Sequence, residues 1–206
     1  MIILIRGIRK DKNMSRASIL NAVKKNKPDL LPLPEIDLDV FSENIDLVKT
    51  FIGNVEFVGG RAIQLGSVEN IDSEIKNLYP NATKIVSCTR DSNLGTISIS
   101  KNTNPHGLET IDLAIVKGEL AVAENGAVWI SENDLTIRVL PFITNDLILI
   151  VNKEDIHLHM HSAYKAISKR DRTFGLFLSG PSKTADIEQC LVIGAQGAIS
   201  LTVLIV

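Results

Sequence analysis

The stretch "DLILIVNKEDIHLHMHSAYKAISKRDRTFGLFLSGPSKT", residues 146–184, decides the fold. "DLILIVN" is a nearly unbroken apolar run of strand length, and "TFGLFLSG" (173–180) is a second. Between them, "EDIHLHMHSAYKAISKR" (154–170) sets Ile156, Met160, Ala163 and Ile167 at helical spacing. Strands that are apolar without alternation are buried on both faces. A strand, helix, strand succession of this kind builds an α/β layered sheet.

Working upstream, "LAVAENGAVWIS" (120–131) reads as two strands joined at Glu124-Asn125-Gly126, because Asn-Gly is a strong hairpin signal. "LTIRVLP" (135–141) reads as a further strand, and "TKIVSCT" (83–89) as a buried one. "SVENIDSEIKNLYP" (67–80) reads as a helix stopped by Pro80. "SENIDLVKTFIGNVEFVG" (42–59) reads as a helix capped by Ser42 and ending near Gly53, then a short strand. Downstream, a short helix is expected to begin near Ser182 or Thr184, with "SLTVLIV" (200–206) as the terminal strand.

The N-terminal region differs in kind. "KPDLLPLPEIDLD" (27–39) carries three prolines and four acids in thirteen residues, so it reads as an extended connector. Before it, "MSRASILNAVKKNKP" is expected to form a short amphipathic helix, with Ser15 or Ser18 as cap and Ile19, Leu20 and Val23 inward. Residues 1–13 are apolar then basic, the reverse of a signal peptide, and read as a tail or an extension ahead of a start at Met14. The expected organisation is therefore tail 1–13, helix and connector 14–41, and α/β domain 42–206.

Composition narrows the function. The 206 residues are 45% apolar and 22% charged, enough for one sizeable core. With 22 basic against 24 acidic residues, the formal charge of −2 gives no global field for nucleic acid or an anionic membrane. No apolar run reaches the roughly 18 residues of a membrane helix. Cys88 and Cys190 lie far apart, so they cannot supply an iron–sulfur cluster or a cysteine-based zinc site within one chain. That cysteine usage suits a reducing cytosol.

The loop "SGPSKT" (179–184) follows a strand, so its backbone lies at a strand's carboxyl end, where α/β sheets bind ligands. Lys183-Thr184 is not the end of a phosphate-binding P-loop, because Ser182 and Phe177 stand where that motif requires glycine. Asp186 and Glu188, in the first turn of the expected helix, would repel a polyphosphate. A single carboxylate or a polar contact to Lys183 remains open, and so does a plain tight turn with a helix cap. Glu124 is either a solvated turn acid or a carboxylate presented to a cleft. Arg90 meets an anion or pairs with Asp91, and His106 occupies a turn-rich loop.

His157, His159 and His161 alternate, which in a strand would form a metal comb. On the expected helix only His157 and His161 align, two ligands without a third, so no metal site is assigned.

At these residues the chain resembles a known family. "SGPSKTADIEQCLVIGAQGAISLTVLIV" (179–206) is similar to the closing signature of the lactate-utilisation protein C family, the LUD-domain proteins. "LAVAENGAVWI" resembles that family's strand-turn-strand segment, which reads A-E-T-G at the turn. The resemblance covers roughly residues 82–206. It implies a three-layer αβα sheet domain akin to the sugar-phosphate isomerase and CoA-transferase folds. It also implies a role in oxidising L-lactate to pyruvate beside partner proteins that carry the iron–sulfur clusters, with no cofactor in this chain.

Position by position, Glu124 and Gly126 match the turn motif, while Ser179, Gly180, Pro181, Ser182, Lys183, Thr184, Asp186 and Glu188 match the closing one. Glu124 and Lys183 are the expected catalytic pair, Lys183 meeting a substrate carboxylate or Glu124; the other eight are expected to bind ligand. Two departures stand out. Gly194-Ala195-Gln196-Gly197-Ala198 replaces the family's G-x-H-G-P, and an amide does not titrate. Asn125 replaces the turn threonine. The alternatives to a lactate-oxidation subunit are a stand-alone isomerase or CoA-transferase-like enzyme for a small carboxylate or acyl-CoA, and a non-catalytic assembly module.

Overall fold

The computed structural model describes residues 15–32, 34, 35, 37, 40, 44–171, 173–185 and 190–206. The chain divides into two units, Met1–Asp37 and Leu38–Val206. In the first, α1 (Arg16–Lys25) is capped by Ser15, whose hydroxyl accepts the Ser18 N–H at 3.2 Å. Ile19, Leu20 and Val23 are exposed, so the expected inward face is not buried.

The second unit runs α2 (Leu47–Phe57), β1 (Arg61–Gln64), α3 (Ile71–Leu78), β2 (Ile85–Ser87), β3 (Leu113–Lys117), β4 (Leu120–Val122), β5 (Ala127–Ser131), α4 (Leu140–Ile143) and β6 (Asp146–Val151). It continues with β7 (Ile156–His157), α5 (Met160–Ile167), β8 (Gly175–Leu178), β9 (Lys183–Ala185), β10 (Leu191–Ile193) and β11 (Ser200–Ile205). The main sheet has the order β1-β11-β6-β3-β2 and is parallel throughout. The last strand thus lies inside the sheet, pairing Leu201 with Leu147 and Val203 with Leu149. A second, mixed sheet has the order β7-β4-β5-β8.

The sequence periods explain the layers. In β6, Leu147, Leu149 and Val151 face one core and Ile148 and Ile150 face another, so an uninterrupted apolar run is what both faces require. One core takes Phe51 and Val55 of α2 together with Ala121, Val128 and Ile130 of the second sheet. The opposite core takes Ile71 and Ile75 of α3. Helix α5 covers the outer side of the second sheet, with Ala163 and Ile167 against Leu120, Val122 and Trp129. The α/β reading therefore holds: a parallel sheet is flanked by helices. No helix among the described residues is long and apolar enough to cross a membrane.

Five local expectations are corrected. The helix expected to end near Gly53 runs on to Phe57, since the core burial of Val55 outweighs the roughly 1 kcal/mol intrinsic cost of a helical glycine. Its cap is Asp46, whose carboxylate accepts the Lys49 N–H at 3.0 Å; Ser42 lies outside the described residues. "LTIRVLP" is not a strand: a turn at Ser131–Asp134 redirects the chain and residues 140–143 form α4. Helix α5 is confined to 160–167, because Ile156 and His157 pair with Ala121 and Val122 as β7. The helix expected from Ser182 or Thr184 is instead β9, laddered to β10 with Thr184 opposite Val192.

The Ser131–Asp134 turn closes on a pair of acids. Asp134 Oδ2 accepts the Ser131 N–H at 2.7 Å and the Ser131 hydroxyl at 3.1 Å. Burial, opposed by these bonds and reinforced by the charge of Glu119, pushes its carboxyl from 3.8 up to about 6. Glu119 itself accepts from Arg170. An acid whose folded-state value is raised stabilises the fold while protonated, and that contribution is lost as pH rises through about 6. Asp134→Asn mimics the protonated acid at every pH. The stability of the wild type relative to Asp134→Asn is expected to fall between about pH 4 and pH 7, read as the difference in thermal midpoints. A difference that stays flat over that range contradicts the assignment.

Candidate functional site

The site is assembled at the carboxyl end of α2. Gly59, at φ +81°, turns the chain out of the helix, while Gly59 and Gly60 donate back to the carbonyls of Glu56 and Val55 at 2.8 and 2.9 Å. Two distant segments converge on this end. The first is the hairpin turn 123–126 between β4 and β5. Asn125 Oδ1 accepts the Ala127 N–H at 3.1 Å, closing the turn on itself. Gly126 has φ +65°, and a Cβ there would lie 2.7 Å from the Val55 nitrogen. Asn54 of α2 donates to the Ala123 carbonyl at 2.6 Å.

The second segment is the loop after β8. Ser179 donates its hydroxyl to the Asn125 carbonyl at 2.7 Å, tying the loop to the turn. Gly180, at φ +74°, sits so close to α2 that a Cβ would be 2.6 Å from the Val58 carbonyl oxygen. Ser182 donates its N–H to the Ala198 carbonyl at 2.9 Å and accepts the Gln196 N–H on its hydroxyl at 3.3 Å. Lys183 donates to the Val58 carbonyl across the gap that Gly59 leaves.

Glu124 and Lys183 therefore do not meet. Lys183 brings a cation to the carboxyl end of α2, where free carbonyls favour it. Glu124 brings an anion to the amino end of α5: its Oε2 lies 2.7 Å from His159 Nδ1 and accepts the Met160 N–H at 3.1 Å. Each charge answers a helix end. Each also keeps capacity in reserve, since only one of the three Lys183 donors and one of the two Glu124 oxygens is engaged among the described residues.

The loop borders a cleft of about 260 Å³. Its floor is apolar, with Phe142, Leu147 and Leu201; Ser182, Lys183 and Gln196 supply polar groups at its edge. Of the expected ligand residues, Ser179, Gly180, Pro181 and Ser182 line it, whereas Gly126 is outside its lining and packs against α2. Thr184 is in the β9 ladder, while Asp186 and Glu188 lie outside the described residues.

His159, Asn54 of α2 and Val58 immediately after that helix were not readable as site residues. They lie far from the motif in sequence, and a carbonyl carries no side-chain signature. The three alternating histidines separate: His157 is on β7, His159 precedes α5, and His161 is on α5. Burial lowers the His157 pKa, aided by the Arg170 charge and opposed by that of Asp155. Asp91 pairs with Lys117 at 2.7 Å rather than with Arg90, and His106 is exposed in a short turn capped by Asn104.

The LUD domain family matches residues 98–206. Lactate utilization protein C of Oceanobacillus iheyensis is 30% identical over 105 residues, covering 48% of this chain and 45% of that protein. Lactate utilization protein C 1 of Bacillus mycoides is 33% identical over 101 residues, covering 46% and 43%. The chain thus spans somewhat under half the length of these relatives. A crystal structure of a DUF162 family protein from Deinococcus radiodurans has the same fold, with a TM-score of 0.58 at 15% identity, covering 77% of this chain and 95% of that one.

Close packing, more than charge, is expected to hold the site. Gly126→Ala forces a left-handed residue into α2 and should cost about 1–3 kcal/mol in denaturant unfolding. Glu124→Gln should cost less than about 1 kcal/mol, because its partners are partly solvated. The reverse order would contradict this account.

Proposed function

The chain belongs to the LUD-domain family, and from that footing we propose that it is a subunit of a system oxidising L-lactate to pyruvate, with iron–sulfur proteins as its electron-carrying partners. The observation that carries the reading is the cleft beneath the family's closing loop. It has an apolar floor, one lysine at its rim and the size for a small organic acid. In this reading the substrate carboxylate takes the two remaining Lys183 donors, a charge-assisted contact of the stronger kind. The methyl group of lactate rests on the apolar floor.

Glu124 does not line this cleft and is given no proton-transfer step; it belongs to the hairpin turn that anchors Ser179. Lactate gives up two protons and two electrons on becoming pyruvate, so an electron acceptor is required. Two cysteines are too few for the usual four cluster ligands, which favours a separate protein as that acceptor. The relatives named for lactate utilisation lend the same direction.

Lys183→Ala is expected to weaken saturable L-lactate binding to the full chain by about tenfold, with Lys183→Arg retaining more of it. Isothermal titration reads both. The helix-end role of Lys183 predicts a stability loss of about 1 kcal/mol or less for the alanine variant, so a folded protein remains to be tested. Unchanged binding and unchanged lactate-dependent turnover in the alanine variant would overturn the proposal.

A further inference from the structure

A cleft of about 610 Å³, larger than the one beneath the 179–183 loop, lies elsewhere. Strand β5 runs from the 123–126 turn to Ser131, and β8 pairs with it from Gly175 opposite Ser131 to Leu178 opposite Val128. The turn and the 179–183 loop therefore share one end of the second sheet. Glu132 and Thr173 mark the other, and the large cleft opens there. Its wall includes Leu135, Ile137 and Val139, the alternating residues whose pattern imitates a strand. They find no ladder. Leu135 is buried, and Ile137 and Val139 pack against the main core as an apolar bed.

The polar groups over this bed are unequal. Arg138 is held in place: one of its terminal nitrogens donates to Glu132 at 2.5 Å and to the Thr173 hydroxyl at 3.0 Å, and its guanidinium lies 5.2 Å from the Phe174 ring centre. Three of its five N–H donors have no partner among the described residues. Lys101, on the facing loop, has no hydrogen bond or ion pair among them. Glu132, the one carboxylate of the wall among the described residues, is already occupied by Arg138 and by the Thr173 and Phe174 backbone N–H groups. The cleft thus presents unused cationic donors above an apolar surface, with its single anion neutralised.

We propose that this cleft is a second binding site, for an organic anion with an apolar body larger than a three-carbon acid. The anionic head would meet Arg138 and Lys101, and the body would lie on Leu135, Ile137 and Val139. Arg138 is already ordered by Glu132 and Phe174, so little side-chain entropy is lost when an anion arrives. The volume falls within the roughly 300–1,000 Å³ common for small-molecule sites.

Sodium octanoate is the probe, titrated calorimetrically into the full chain, with octylammonium chloride as its charge-reversed counterpart. Saturable octanoate binding is expected, with none for octylammonium. Lys101→Ala and Arg138→Gln should each weaken it about tenfold, the loss of one charge-assisted contact. Lys101 is exposed and has no partner among the described residues, so its variant folds even where Arg138→Gln loosens the Glu132 cluster. Lys183→Ala should leave octanoate binding unchanged, which separates this cleft from the one beneath the 179–183 loop. The proposal is overturned by absence of saturation at millimolar octanoate, by equal binding of octylammonium, by indifference to Lys101→Ala, or by loss of binding on Lys183→Ala.

Discussion

The last turn of α2 admits no side chain between itself and the two loops that meet it. Gly126 and Gly180 both occupy left-handed backbone conformations, and at each a Cβ would come within 3 Å of the α2 backbone. Gly59 leaves the room through which Lys183 reaches the Val58 carbonyl. These three glycines let segments more than fifty residues apart converge on one helix end. Without that approach the Ser179–Asn125 hydrogen bond would have no geometry, and the family's two motifs would be separate loops.

Once the loops are in place, their charges serve two purposes. Lys183 and Glu124 each neutralise a helix end, a role worth no more than about 1 kcal/mol at a partly solvated position. Such a role fixes where a side chain points without consuming all its hydrogen-bonding capacity. A charge held this way is ordered before a ligand arrives. The same logic recurs at the far end of the second sheet, where Glu132 orders Arg138 and is itself held down to about pKa 2, chiefly by Thr173 and then by Arg138.

Much of the fold was legible because burial leaves a period in the chain. The runs in β6 and β11, apolar at every position, announce strands covered on both faces. Asn125-Gly126 announces the hairpin for conformational reasons that act locally. What the sequence concealed depends on partners distant along the chain. "LTIRVLP" has the alternation of a strand, but its apolar residues face the core with no ladder beside them. Residues 183–185 follow a good helix-start signal yet pair with Leu191–Ile193. The family motif was readable as a string, whereas His159, Asn54 and the Val58 carbonyl become part of the site only through tertiary contact.

The most direct test is reconstitution. Lactate-dependent dye reduction would be measured with this chain alone, with candidate iron–sulfur partner proteins alone, and with all of them together. The account predicts turnover only in the complete mixture. If the partners reduce dye equally well without this chain, its assignment as a lactate-oxidation subunit is wrong.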